Sequence, residues 1–155
     1  MTKFSLRITV LVLLPLFCTG FIFSNSLKNV EQSRKDSSVI VEIVEDVANK
    51  VIKQDAKKLN WDHIVRKSAH FIEFFVLGVL TVLLFLQTGM KRWMTVICAL
   101  SYAVLVASAD EFIQSFSDRS ACVTDVMIDM SGALSGICLI LMLNYLIECY
   151  RRKTK

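Results

Sequence analysis

Four apolar runs alternate with polar segments along the chain: Ile8 to Phe23, Phe71 to Leu86, Trp93 to Ala109 and Val126 to Ile147. Allowing for flanking turns, they predict membrane spans at about 6–23, 69–87, 93–109 and 126–147. The first run has 16 residues and makes about 24 Å of helix, just enough for the hydrocarbon core of a bilayer. Lys3 and Arg7 precede it, so it reads either as a retained first span, the preferred reading, or as a signal peptide with Ser24 and Ser26 near a cleavage point. Pro15 is expected to kink it.

A polar segment, Ser24 to Asp62, follows the first run. Inside it Ile40, Val44, Val47 and Val51 recur at helical spacing with Ile43 alongside, while Glu42, Glu45, Asp46, Asn49, Lys50 and Lys53 take the other side. That pattern predicts an amphipathic helix, lying on a membrane surface or packed on the rest of the protein. Trp61 suits an interfacial aromatic belt, and Asp62 is the expected N-cap of the next helix. A short basic turn at Gly89 to Arg92 separates the second and third spans, and a loop from Gln114 to Thr124 separates the third and fourth. Small residues mark close helix approach: Ala99, Ala103 and Ala107 with Ser101 and Ser108, and the pair Gly132 and Gly136.

Composition agrees with this pattern. The 155 residues are 54% apolar, with one Pro and five Gly, which argues against a loop-rich or all-β chain. The expectation is an all-α polytopic helix bundle, 1–155 as a single unit, with about four transmembrane helices plus one extracytoplasmic amphipathic helix. The formal charge of +4 comes without a basic run or RNA-type aromatic motif, so nucleic acid is not an expected partner. Five cysteines without a CxxC predict buried free thiols, not a disulfide or metal framework. Positive charge in the short segments places Lys3, Arg7, Lys91, Arg92, Arg151, Arg152, Lys153 and Lys155 on one side, so both termini are expected in the cytoplasm.

That topology brings every unusual polar residue to the opposite end of the bundle. Arg66, Lys67, His70 and Glu73 lie at the start of the second span, Asp110, Glu111 and Gln114 at the end of the third, and Asp125 and Asp129 at the start of the fourth, with Arg119 in the loop between. Charge at the edge of hydrocarbon is costly and marks function by default. Arg66, His70 and Glu73 share a helix face, as do Asp125, Asp129, Gly132 and Gly136; Asp110 and Gln114 share one if the helix continues that far. His63 is expected to be exposed.

Three chemistries fit such a cluster. It can be internal glue, with Arg119 pairing a carboxylate and His70 bridging Glu73 or Glu111. It can be a cleft for a polar headgroup, with Arg66, Lys67 and Arg119 on phosphate and the carboxylates on hydroxyls or an amine. It can be catalytic, with His70 as general base and Glu73 or Glu111 beside it. Oxygen-rich sites also hold divalent cations, yet neither a metal nor a cofactor is assigned from the sequence.

The pieces FSNS from Phe23, RKSAHFIEFFVLG from Arg66, ADEFIQSFSDR from Ala109 and TDVMIDMSGALSG from Thr124 stand in series, and with them the chain resembles the VanZ-like family of bacterial membrane proteins. The family is named for a protein that raises resistance to the glycopeptide teicoplanin. The resemblance implies a multi-pass protein of the bacterial cytoplasmic membrane acting at the cell envelope. It also implies functional positions at Arg66, Lys67, His70, Glu73, Asp110, Glu111, Gln114, Arg119, Asp125 and Asp129. A lipid-linked cell-wall precursor is the partner such a role suggests, beside the bilayer itself; oligomeric state is left open. The chain departs from the family pattern at Ser117 and Asp118, where a Pro-Gly turn is usual, and at Phe74 and Phe75, where an aromatic hydroxyl is common after the Glu.

Overall fold

A computed structural model of the chain describes residues 3–28, 30–51, 60–116 and 122–154. They form five helices and no strand: α1 (Lys3–Ser26), α2 (Val30–Val51), α3 (Trp61–Gln87), α4 (Arg92–Gln114) and α5 (Val123–Lys153). All but α2 are long and apolar enough to cross a membrane, so the chain is an all-α, multi-pass membrane protein. Each spanning helix outruns its apolar run. The 27 residues of α3 make about 40 Å of helix, well beyond the hydrocarbon core. The surplus turns at one end carry Arg66, Lys67 and His70 on α3, Asp110, Glu111 and Gln114 on α4 and Asp125 on α5, with Glu73 and Asp129 just inside their apolar runs.

The helix starts and stops have local causes. At the head of α3 the side chain of Asn60, not Asp62, accepts from the backbone N–H of His63 at 3.3 Å. Asp62 therefore sits inside the first turn, where a carboxylate faces the positive end of the helix dipole. The α3–α4 turn depends on Gly89, whose φ of +72° is the left-handed region that side chains avoid. Residues expected in the α4–α5 loop are partly helical, since Gln114 closes α4 and Val123 opens α5. Pro15 lies within α1, and Thr19 donates its hydroxyl to the Pro15 carbonyl at 2.9 Å.

Packing centres on α3 against α5, the most extensive helix pair, with α1 and α4 closing the bundle. The backbones touch through glycine. A Cβ at Gly132 would collide with the Phe71 carbonyl, one at Gly136 with the Phe75 carbonyl, and one at Gly78 with the Ala133 carbonyl. Phe74, Leu77, Ala103, Ala107 and Ala133 are fully buried around this contact, together with Ile22 from α1. Ala99 sits in a second buried group with Val82 and Ile137. The small-residue reading therefore holds for Ala99, Ala103 and Ala107, whereas Ser101 and Ser108 face outward.

Outward faces are apolar, as a bilayer requires: Leu13, Phe17, Leu105 and Leu146 are all exposed. The five thiols are free, but none is fully buried, and Cys122 and Cys138 are exposed. The expectation of buried thiols holds only in part: Cys18, Cys98 and Cys149 are half-buried, Cys18 against the core, whereas Cys122 stands at the exposed start of α5 and Cys138 on an outward face. Helix α2 touches α3, yet Val39, Ile40, Ile43 and Val47 stay exposed, so the bundle does not take up its apolar face.

Gly132→Val and Gly136→Val are expected to destabilise the protein by about 1–3 kcal/mol, the usual cost of overpacking. Gly20→Ala, with nothing near the added methyl, should unfold with the wild type. Thermal denaturation of the three variants in detergent reads the difference.

Candidate functional site

Four helix ends meet at one end of the bundle. The last turn of α1 brings Asn25 and Ser26, the first turns of α3 bring Lys67, His70 and Glu73, the last turns of α4 bring Asp110, Glu111 and Gln114, and the first turns of α5 bring Asp125 and Asp129. The glycine contact of α5 with α3 lies one turn beyond Asp129, so the same close approach that packs the bundle presses Asp129 toward His70.

His70 Nδ1 is the hub. It lies 3.8 Å from Asp110 Oδ2, 3.9 Å from Asp129 Oδ1 and 4.0 Å from Glu73 Oε2. Asp110 and Asp129 are buried, at 0% and 1% exposure, and Glu111 and Gln114 are nearly so. Carboxylates this deep need donors. Asp110 has them: Ser26 Oγ donates to Oδ1, and Gln114 Nε2 donates to Oδ2 at 2.7 Å. Asn25 Nδ2 donates to Glu73 Oε1 at 2.7 Å. By contrast, Glu73 Oε2, Glu111 Oε1 and Asp129 Oδ1 are buried with no hydrogen-bond partner among the described residues.

Two further contacts frame the hub. Glu111 turns its Oε2 to the backbone N–H of Cys122 at 2.9 Å, anchoring the residue from which α5 starts. Lys67 pairs with Asp125 at 2.9 Å across the α3–α5 seam, with each side chain about one third exposed. At this rim the Cys122 thiol lies 3.0 Å from the Thr124 hydroxyl, and that hydrogen bond draws the thiol below its ordinary range.

The sequence-derived candidates therefore separate into groups. His70, Glu73, Asp110, Gln114 and Asp129 converge. Lys67 and Asp125 pair at the rim, and Glu111 serves the α5 start. Arg66, half-buried, turns its Nε back to the Asp62 carbonyl at 3.4 Å. Arg119 and its expected carboxylate pairing lie outside the described residues. His70 meets Glu73 as one expectation had it, together with both aspartates, and His63 is exposed. Asn25 and Ser26 were not among the candidates. Their signals are that polar side chains close an otherwise apolar run, which reads equally well as a span end, and that they stand in the FSNS piece of the family resemblance.

Chemically, the buried part offers one imidazole and three carboxylates to a cation, an amine or hydroxyl groups. The rim offers a lysine and a fourth carboxylate, Asp125, to solvent.

Ser26→Ala removes the hydroxyl donor of a buried carboxylate and is expected to lower stability by about 1–3 kcal/mol. Lys67→Gln breaks a part-exposed ion pair worth at most about 1 kcal/mol. Detergent melting curves should rank Ser26→Ala well below Lys67→Gln; the reverse order would contradict the arrangement.

A family model described as VanZ/LLP1 matches residues 10–144. No curated protein and no solved structure matches the chain.

Proposed function

The chain belongs to the VanZ/LLP1 family, and we propose from that premise that it binds the polar headgroup of a bacterial envelope component at the His70 end of its bundle. In this reading the protein sits in the cytoplasmic membrane with both termini inside, and the His70 end opens to the outer surface. Lys67 and Arg66 stand where a phosphate would enter, and the carboxylates behind them take hydroxyls or an amine. A lipid-linked cell-wall precursor combines those groups, and holding it would lower the access of a glycopeptide such as teicoplanin to its target. Helix α2 would lie along the outer surface with Val39, Ile40, Ile43 and Val47 in the lipid interface.

The observation that carries this reading is the gathering of ten polar side chains from four helices at one end, when the opposite end, among the described residues, shows a surface pair of Arg92 with Glu148. Membrane proteins keep buried charge where it serves a ligand or a pathway. A second reading has its own support. Asn25, Ser26 and Gln114 meet part of the demand of Glu73 and Asp110 from within, which is what internal glue needs. In the enzymatic reading His70 would act as base with Glu73, whereas Glu111 is engaged at Cys122.

The test is teicoplanin susceptibility of a sensitive Gram-positive host carrying the wild-type chain, Lys67→Gln, or an empty vector, with membrane levels equalised. Loss of a charge-assisted contact worth about 1.5–3 kcal/mol should return Lys67→Gln to the empty-vector level while the wild type protects. Equal protection by the variant would favour the internal-glue reading, and no protection by the wild type would remove the glycopeptide role.

A further inference from the structure

The buried half of the cluster has a property that a headgroup cleft does not require. One imidazole nitrogen and two aspartate oxygens, from His70, Asp110 and Asp129, lie within 4.8 Å of one another. Glu73 Oε2 adds a third carboxylate oxygen at 4.0 Å from the same nitrogen. Asp129 is 1% exposed, and its Oδ1, the atom facing His70, accepts no hydrogen bond among the described residues. Glu73 Oε2 is in the same condition.

Charge sharpens the point. Among the described residues, three carboxylates surround one histidine. Net charge at that depth demands a counter-ion or a bound proton. Lys28 acts on Glu73 from just past the end of α1, and Lys67 pairs with Asp125 at the rim, so neither is set directly against Asp129 Oδ1.

We propose that His70, Asp110 and Asp129 form a binding site for one divalent first-row transition metal, with Zn2+ and Mn2+ as the ions the donors suit, and with Glu73 placed to complete the shell. An imidazole favours Zn2+ over Mg2+ or Ca2+, and carboxylates admit Mn2+. Zinc bonds of about 2.0–2.2 Å set neighbouring ligand atoms about 3.4 Å apart in a tetrahedral shell. The observed 3.8 and 3.9 Å need a closure of roughly half an ångström from each pair. The outer contacts suit the role. Ser26 and Gln114 fix the Asp110 carboxylate, and Asn25 holds the far oxygen of Glu73 while leaving Oε2 toward His70. Outer partners of this kind orient metal ligands in proteins. The site rests on this inner geometry alone and stands whichever envelope component, if any, binds at the rim.

The experiment uses the full chain purified in detergent with a histidine-free tag. Metal content is measured by mass spectrometry as purified, and melting temperature is then followed after chelation and titration with Zn2+, Mn2+, Mg2+ or Ca2+. Stoichiometric Zn2+ or Mn2+, or a saturable rise in melting temperature with either ion, is expected. Mg2+ and Ca2+ should give no comparable rise. Asp129→Asn and His70→Gln should each abolish the response, Ser26→Ala should weaken affinity roughly 10–100-fold, and Glu148→Gln, at the opposite end of the bundle, should retain it. Because the wild-type titration needs no variant, a misfolded substitution does not block the test. The proposal is overturned if the wild type shows neither bound metal nor a shift. It is also overturned if the shift survives both Asp129→Asn and His70→Gln, or if Mg2+ acts as strongly as Zn2+. The antibiotic assay is scored separately, so metal binding and headgroup binding can fail independently.

Discussion

Everything in the bundle depends on how closely α3 and α5 approach. In lipid there is no hydrophobic drive to pull helices together, so association rests on packing and on buried polar contacts. Here glycine provides the packing. Gly132 and Gly136 let α5 rest on the α3 carbonyls of Phe71 and Phe75, and Gly78 returns the contact to Ala133. With bulkier residues the helices would stand apart, and Asp129 would lose its place beside His70. Lys67 and Asp125 could no longer span the seam. The polar cluster is thus a result of backbone contact as much as of the charged side chains themselves.

Those side chains are arranged in depth. At the rim, Lys67 and Asp125 neutralise each other in partial contact with water. One layer further in, Asp110 receives donors from Ser26 and Gln114. Beside it Asp129 and the inward oxygen of Glu73 receive none among the described residues. The demand for positive charge therefore grows inward, opposite to what a simple capped helix end would show. The rim carries its cations Arg66 and Lys67 beside Asp125, while His70 faces three carboxylates among the described residues.

Much of this was legible in the chain, for physical reasons. Membrane spans announce themselves because hydrocarbon tolerates so few charges, and the common end of the polar residues followed once the helix count was set. The helical spacings carried Asp129 and the glycines onto one face correctly, and the continuation of α4 placed Gln114 on Asp110. Other features were not legible. Helix ends outran the apolar runs because the additional turns are polar and held by tertiary bonds, as Glu111 holds Cys122. Asn60 displaced Asp62 as the cap, a choice of two residues that local preference cannot separate. Asn25 and Ser26 escaped because a serine or asparagine at a span end is ordinary, and only the fold sets them against Glu73 and Asp110. The exposure of Cys138 was not legible because lipid-facing and core-facing positions are equally apolar in composition.

The bond between Ser26 and Asp110 joins residues 84 positions apart, and Gln114 reaches Ser26 across 88. Chains fold in order as they are synthesised, N-terminal parts first. The donors on α1 are therefore in the bilayer long before their acceptors exist, and Asp129, the last of the group, arrives only with the final helix. An unfinished chain holds His70, Glu73 and Asp110 without the glycine face that shields them. The cluster is therefore complete only once the last helix has joined the bundle.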